Sequence, residues 1–77
     1  MKLYRIHNDE VIEKGIARFS IAYWRKQTSE TIIESLKMGK AESLKVKTDG
    51  RILNGNVRCK VLGERGFDIN KLEVEIL

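Results

Sequence analysis

Asp49-Gly50-Arg51-Ile52-Leu53-Asn54-Gly55-Asn56-Val57-Arg58 is a short apolar strand held between two glycine turns, the second of which opens directly into helix-forming sequence. With Thr48 before it, Asp49-Gly50 makes a hairpin turn, because glycine enters positive φ at little cost and an aspartate hydrogen-bonds its own backbone. Upstream, Leu44 and Val46 alternate with Lys45 and Lys47 in the two-residue period of a strand, and Arg51-Ile52-Leu53 returns as its partner. Downstream, the spacing predicts a helix over about residues 56 to 65, with Val57, Val61 and Leu62 facing inward and Gly66 ending it.

Toward the N-terminus, Ser29 is placed to cap a helix whose first turn holds Glu30 and whose apolar face holds Ile32, Ile33 and Leu36. Gly39, after Lys37, stops it. Gln27-Thr28-Ser29 separates this helix from an earlier one over about residues 9 to 26, capped by Asn8 or Asp9. Ile12, Ile16, Phe19 and Tyr23 fall at spacings of four, three and four, which gathers them on one face of that first helix. Before it, Lys2-Leu3-Tyr4-Arg5-Ile6 alternates as a short strand near a sheet edge, broken by His7-Asn8-Asp9. At the other end, Phe67-Asp68-Ile69-Asn70 is a loop with two apolar anchors, and Leu72-Glu73-Val74-Glu75-Ile76-Leu77 alternates as the last strand. The order β-α-α-β-β-α-β describes an α/β (α+β) domain, a small mixed β-sheet covered by about three helices.

Seventy-seven residues suffice for one domain, 1–77, and not for two. Apolar residues at 42% and charged residues at 34% describe a globular chain, and no apolar run reaches membrane-spanning length. The N-terminus lacks the hydrophobic stretch of a signal peptide, and the lone Cys59 cannot form an internal disulfide, so a reducing cytoplasmic setting is expected. One cysteine and one histidine fall short of a structural zinc set. Fifteen basic against eleven acidic residues leave a charge of +4, enough for long-range attraction to nucleotides and equally ordinary for a soluble protein.

The strand-glycine-helix junction is the candidate site. Free N–H groups of the first helical turn and the positive end of the helix dipole converge there, and both suit an anion such as phosphate. Gly55 admits a ligand close to the backbone, Arg58 adds a guanidinium, and Asn54 and Asn56 offer neutral donors. Each has a plain structural alternative. Glycine serves such turns for conformational reasons alone, Arg58 can pair with a neighbouring carboxylate, and Asn56 can act as an N-cap.

Glu34-Ser35-Leu36-Lys37-Met38-Gly39, Leu44-Lys45-Val46, Asp49-Gly50, Asn54-Gly55-Asn56-Val57-Arg58 and Lys60-Val61-Leu62-Gly63-Glu64-Arg65-Gly66-Phe67 follow one another in an order that resembles the ParB/sulfiredoxin-like domain, from about residue 30 to 77. The family typically places an Asp-Gly-x-His-Arg or Gly-x-x-Arg turn at this junction, and its better-studied members bind nucleotide phosphates there. The resemblance implies a phosphate-binding role for Gly55, Asn56 and Arg58, with a nucleotide and magnesium as the ligand. Asn54 stands where many relatives have Asp and Val57 where many have His or Arg, which argues against metal-assisted or acid–base chemistry. Asn56 occupies the place of the reactive cysteine of sulfiredoxins, and Cys59, three residues on, does not replace it. Binding without efficient catalysis is the expectation. The chain ends at Leu77, before the helix-turn-helix and dimerisation parts of chromosome-partitioning ParB proteins, so sequence-specific DNA binding of that kind is not expected.

Three other features have two readings each. Cys59, between Arg58 and Lys60 near a helix start, is either an activated thiol or a small core residue, and the core reading is favoured. His7 is read as solvated at a strand end. Tyr23-Trp24-Arg25-Lys26 is an aromatic-basic cluster able to stack on a base or anchor a protein, with Trp24 read as a rim packing residue. The alternative to ligand binding is a regulatory or protein-interaction module, such as a toxin–antitoxin-like partner or a homodimer.

Overall fold

The hairpin forms where the glycine turn calls for it. In the computed structural model, which describes residues 1–15 and 17–77, strands β2 (Lys45–Val46) and β3 (Arg51–Asn54) pair antiparallel, with Val46 opposite Ile52. Asp49 accepts from the Arg51 N–H at 3.1 Å, and Gly50 sits at φ +92° and donates to the Lys47 carbonyl. Two further strands complete a mixed sheet in the order β1-β3-β2-β4. The N-terminal β1 (Tyr4–Arg5) runs parallel to β3 on one edge, and β4 (Glu75–Ile76) runs parallel to β2 on the other. The last strand is shorter than the alternation over residues 72 to 77 predicts, because β2 presents only two residues for it to pair with.

Among the described residues, four α-helices accompany the sheet rather than about three. The helix expected over residues 9 to 26 is two: α1 (Asp9–Lys14), capped by the Asn8 side chain, and α2 (Arg18–Arg25). Gly15 makes the break. Its backbone is extended, its N–H turns back to the Val11 carbonyl, and a Cβ there would lie 2.6 Å from the Val11 oxygen. An uninterrupted helix would keep its phase of about 100° per residue, but a non-helical residue resets it. The inward residue after the break is therefore Ile21, while Phe19 and Tyr23 are turned outward at 72% and 56% exposure. Ile12 is buried as expected, and Ile16, the other member of the proposed stripe, lies outside the described residues.

Helix α3 (Ser29–Leu36) buries Ile32 and Leu36, and its cap is Thr28 rather than Ser29, the Thr28 hydroxyl accepting from the Thr31 N–H. Helix α4 (Asn56–Glu64) starts directly from β3 and is buried on more than one side, since it packs against α2, α3 and β1 together. Val61 and Leu62 enter the core beside Leu44, Ile52 and Leu36. Val57, expected inside, is half-buried, and Asn56 is buried instead. Phe67 is exposed, and a short 3-10 turn at Ile69–Lys71 fills the predicted loop.

Asn56 explains its own burial. Its Oδ1 accepts from the Ile6 N–H at 3.0 Å and its Nδ2 donates to the Ile52 carbonyl at 2.8 Å, so one side chain ties β1, β3 and α4 together. An Asn56→Ala variant leaves both backbone groups without that partner and is expected to lose about 2 kcal/mol. Urea unfolding followed by circular dichroism checks this, and a loss below about 0.5 kcal/mol would show that water replaces both bonds.

An ion-pair cluster joins α4 to α1 and α2. Arg25 bridges Glu13 and Glu64, and Lys60 approaches Asp9, Glu13 and Glu64 at 3.4, 3.7 and 3.2 Å. The hydrogen bond from Arg25 holds the Glu64 carboxyl below its ordinary range. Pairs with partly exposed partners contribute little individually, so the cluster sets how α1, α2 and α4 meet more than it stabilises them. Among the described residues, no helix is long and apolar enough to cross a membrane.

Candidate functional site

Gly55 stands between β3 and α4 in a left-handed conformation, φ +112° and ψ 8°, and among the described residues no side chain caps the helix it begins. A Cβ at this position would meet Leu44 Cδ1 at 2.9 Å and Leu36 Cδ2 at 3.1 Å. The bare side of Gly55 thus points into the core, and both its φ and its packing require glycine. The first-turn N–H groups of α4 are left for whatever approaches from outside, at the positive end of the dipole.

Arg58 lies one turn into α4 and keeps only 5% of its surface exposed. No carboxylate lies within ion-pair distance of it among the described residues. Its Nη1 donates to the Ser35 hydroxyl at 3.1 Å and, at 3.4 Å, to the Ser35 carbonyl, and the guanidinium carbon stands 5.4 Å from the Trp24 ring centroid. Nε and Nη2 have no hydrogen-bond partner among the described residues, and neither is sealed from solvent, since Arg5 Nη1 is the fully buried nitrogen left unpaired there. Burial lowers the Arg58 pKa from its ordinary value, yet a guanidinium stays charged. A buried, unneutralised cation is costly, and a cation–π contact with Trp24 offsets only part of that cost.

A cleft of about 410 Å³ opens over this group, lined in its floor by Asn54, Gly55, Asn56, Val57 and Arg58. All four residues singled out in the sequence border it. They do not bring equal chemistry. The Asn54 amide donates to the Ser43 carbonyl at 3.0 Å, and the Asn56 amide accepts from the Ile6 N–H and donates to the Ile52 carbonyl, so each NH2 group has one of its two N–H bonds committed to backbone. The strongest donors to an anion are the first-turn N–H groups and the charged Arg58 guanidinium.

No protein-family model, no curated protein and no solved structure matches this chain.

The remaining walls come from parts of the chain far from the junction: His7 after β1, Ala17 and Ser20 at the start of α2, Trp24, Glu42 between α3 and β2, and Leu53. Sequence reasoning placed none of them with Arg58. Trp24 is half-buried against the core, its ring edge-on to Tyr23 with centroids 5.0 Å apart, and it forms cleft wall as well as packing. His7 is exposed, as expected for a strand end, but it faces the same cavity. The signal that could have joined them is the α2-α4 packing, which no spacing pattern encodes.

Cys59 points the other way. It is buried in the core, and burial pushes its thiol up to about 11 against the opposing pull of Arg58 and Arg5. The activated-thiol reading is overturned, because desolvation outweighs the nearby positive charge. Native protein at pH 8 is expected to react with a disulfide reagent ~100-fold more slowly than urea-unfolded protein, as measured by release of the chromophoric thiol. Equal rates would mean that the thiol is accessible.

Proposed function

We propose that this chain is a small oxyanion-binding domain, a divergent relative of ParB/sulfiredoxin-like domains, which holds a phosphate, such as that of a nucleotide, over Gly55 and Arg58. The observation that carries this reading is Arg58: a guanidinium 5% exposed, with no carboxylate within ion-pair distance among the described residues, at the floor of a cleft beside an uncapped helix start. A phosphate there would accept from Arg58 Nε and Nη2, which have no partner among the described residues, and from the first-turn N–H groups, and would neutralise the buried charge. The cavity falls within the size range of small-ligand sites. No three His, Cys, Asp or Glu side chains gather into a metal site among the described residues, so magnesium in this reading arrives with a nucleotide as its counter-ion. The role is binding rather than efficient catalysis.

The test is a two-dimensional NMR titration of labelled protein with inorganic phosphate and with a nucleoside triphosphate plus magnesium. Shifts centred on the amides of Gly55, Asn56, Val57 and Arg58 are expected at millimolar ligand. Silence at those amides with every oxyanion would sink the reading.

A second reading, a regulatory or protein-interaction module, is favoured by α2, which turns Phe19 and Tyr23 outward four residues apart on one helix face. Light scattering after size exclusion tests its homodimer form, and a strictly monomeric chain at high concentration removes that form.

A further inference from the structure

Glu42 is the carboxylate in the cleft wall. It stands in the turn between α3 and β2, exposed, and forms neither an ion pair nor a side-chain hydrogen bond among the described residues. Its charge nevertheless reaches Arg58, where it favours the protonated guanidinium more than any other charge does, although the two side chains are not within 4.0 Å of each other. The cavity thus carries a buried cation at its floor and, unpaired among the described residues, an anion on its wall, separated rather than joined. His7 is the other titratable group on that wall.

This arrangement discriminates between ligands. A bare oxyanion on Arg58 sits in the unfavourable field of Glu42, whereas a ligand that also carries a positive group turns the same carboxylate into an attraction. We infer that the cleft selects a small zwitterion, a phosphate or phosphonate with an ammonium several bonds away, its oxyanion on Arg58 and its ammonium toward Glu42. The inference rests on the oxyanion site proposed above and assigns its specificity to Glu42. The spacer follows from the absence of direct contact between the two side chains, since a ligand must bridge a gap that they leave open. The same phospho-amine chemistry occurs in free molecules and in lipid headgroups. A cleft of about 410 Å³ with both side chains on its lining has room for the free molecule.

Calorimetric and NMR titrations of wild type and Glu42→Gln with propylphosphonate, 3-aminopropylphosphonate and inorganic phosphate, at one pH and ionic strength, test this. Wild type is expected to bind the aminated compound about threefold more tightly than propylphosphonate, the size of effect an exposed ion pair produces. In Glu42→Gln the preference should vanish, with propylphosphonate bound more tightly than before. Because Glu42 is exposed and unpaired among the described residues, the substitution leaves the fold intact, which the amide spectrum verifies. Equal affinities in wild type, or a preference that survives in Glu42→Gln, would overturn the inference while leaving the oxyanion site standing. Failure of all three compounds to shift the Gly55 to Arg58 amides would overturn both. Sedimentation with phosphatidylethanolamine vesicles, without binding of the free aminated compound, would overturn the choice of a soluble ligand.

Discussion

Gly50→Ala is expected to cost about 3 to 5 kcal/mol of unfolding free energy, since an added Cβ there meets its neighbours more closely than at the other described glycines. Two effects add. Gly50 has φ +92°, a conformation in which an L side chain costs about 1 to 2 kcal/mol, and a Cβ there would stand 2.1 Å from the Lys2 carbonyl oxygen. That oxygen is backbone, and the hydrogen bond from the Tyr4 N–H to the Gly50 carbonyl at 3.1 Å fixes the two segments against each other. Relief therefore requires β1 to leave the sheet or the hairpin turn to refold. For a domain whose whole stability is about 4 to 12 kcal/mol, this corresponds to a fall of roughly 15 to 30 °C in Tm. Gly39→Ala is the control, since Gly39 has φ +88° but, among the described residues, nothing within 4 Å of the added carbon, and should lose only about 1 to 2 kcal/mol. Thermal and urea unfolding of the pair isolates the clash. Equal losses would mean that β1 yields without cost.

Arg58→Met is expected to separate binding from folding. In phosphate-free buffer the variant should be as stable as wild type or more so, because replacing a buried, unneutralised charge with an apolar side chain of similar length removes a desolvation cost of several kcal/mol. What it loses is the pair of hydrogen bonds to Ser35 and the contact with Trp24. The Ser35 hydroxyl is not orphaned, since it also donates to the Ile32 carbonyl at 2.7 Å. Phosphate affinity should fall at least about tenfold, the worth of one charged hydrogen bond. Unfolding in phosphate-free buffer and again in excess phosphate reads both effects, because a ligand that binds only the folded state raises its stability with concentration. Wild type should gain stability and the variant should not. A variant markedly less stable without phosphate would make Arg58 a structural residue and remove the main support for the oxyanion site.

The segments legible in the sequence were those decided by a few neighbouring residues. The Asp49-Gly50 turn, the strand after it, and the passage through Gly55 into α4 need only local conformational preference and a two-residue alternation. The first helix was misread because its apolar spacing is compatible with one uninterrupted cylinder, whereas Gly15 approaches the Val11 carbonyl more closely than a Cβ permits and shifts the phase of all that follows. The candidate residues Asn54, Gly55, Asn56 and Arg58 do share one cleft, but Asn56 spends its amide on Ile6 and Ile52, fifty and four residues away. No local pattern states which partner an asparagine will find.

By itself the sequence determined a mixed α/β domain, its element order from the second helix onward, and the glycine junction from which α4 begins, because backbone chirality, turn chemistry and hydrophobic period act over a few residues. Only the tertiary structure decided that Arg58 is buried beside Trp24 with no carboxylate within ion-pair distance among the described residues, and that His7, Ser20 and Glu42 share a cavity with it. Burial and electrostatics depend on what distant segments bring together when α2 packs on α4, and that meeting is set by side-chain volume and charge summed over the whole core.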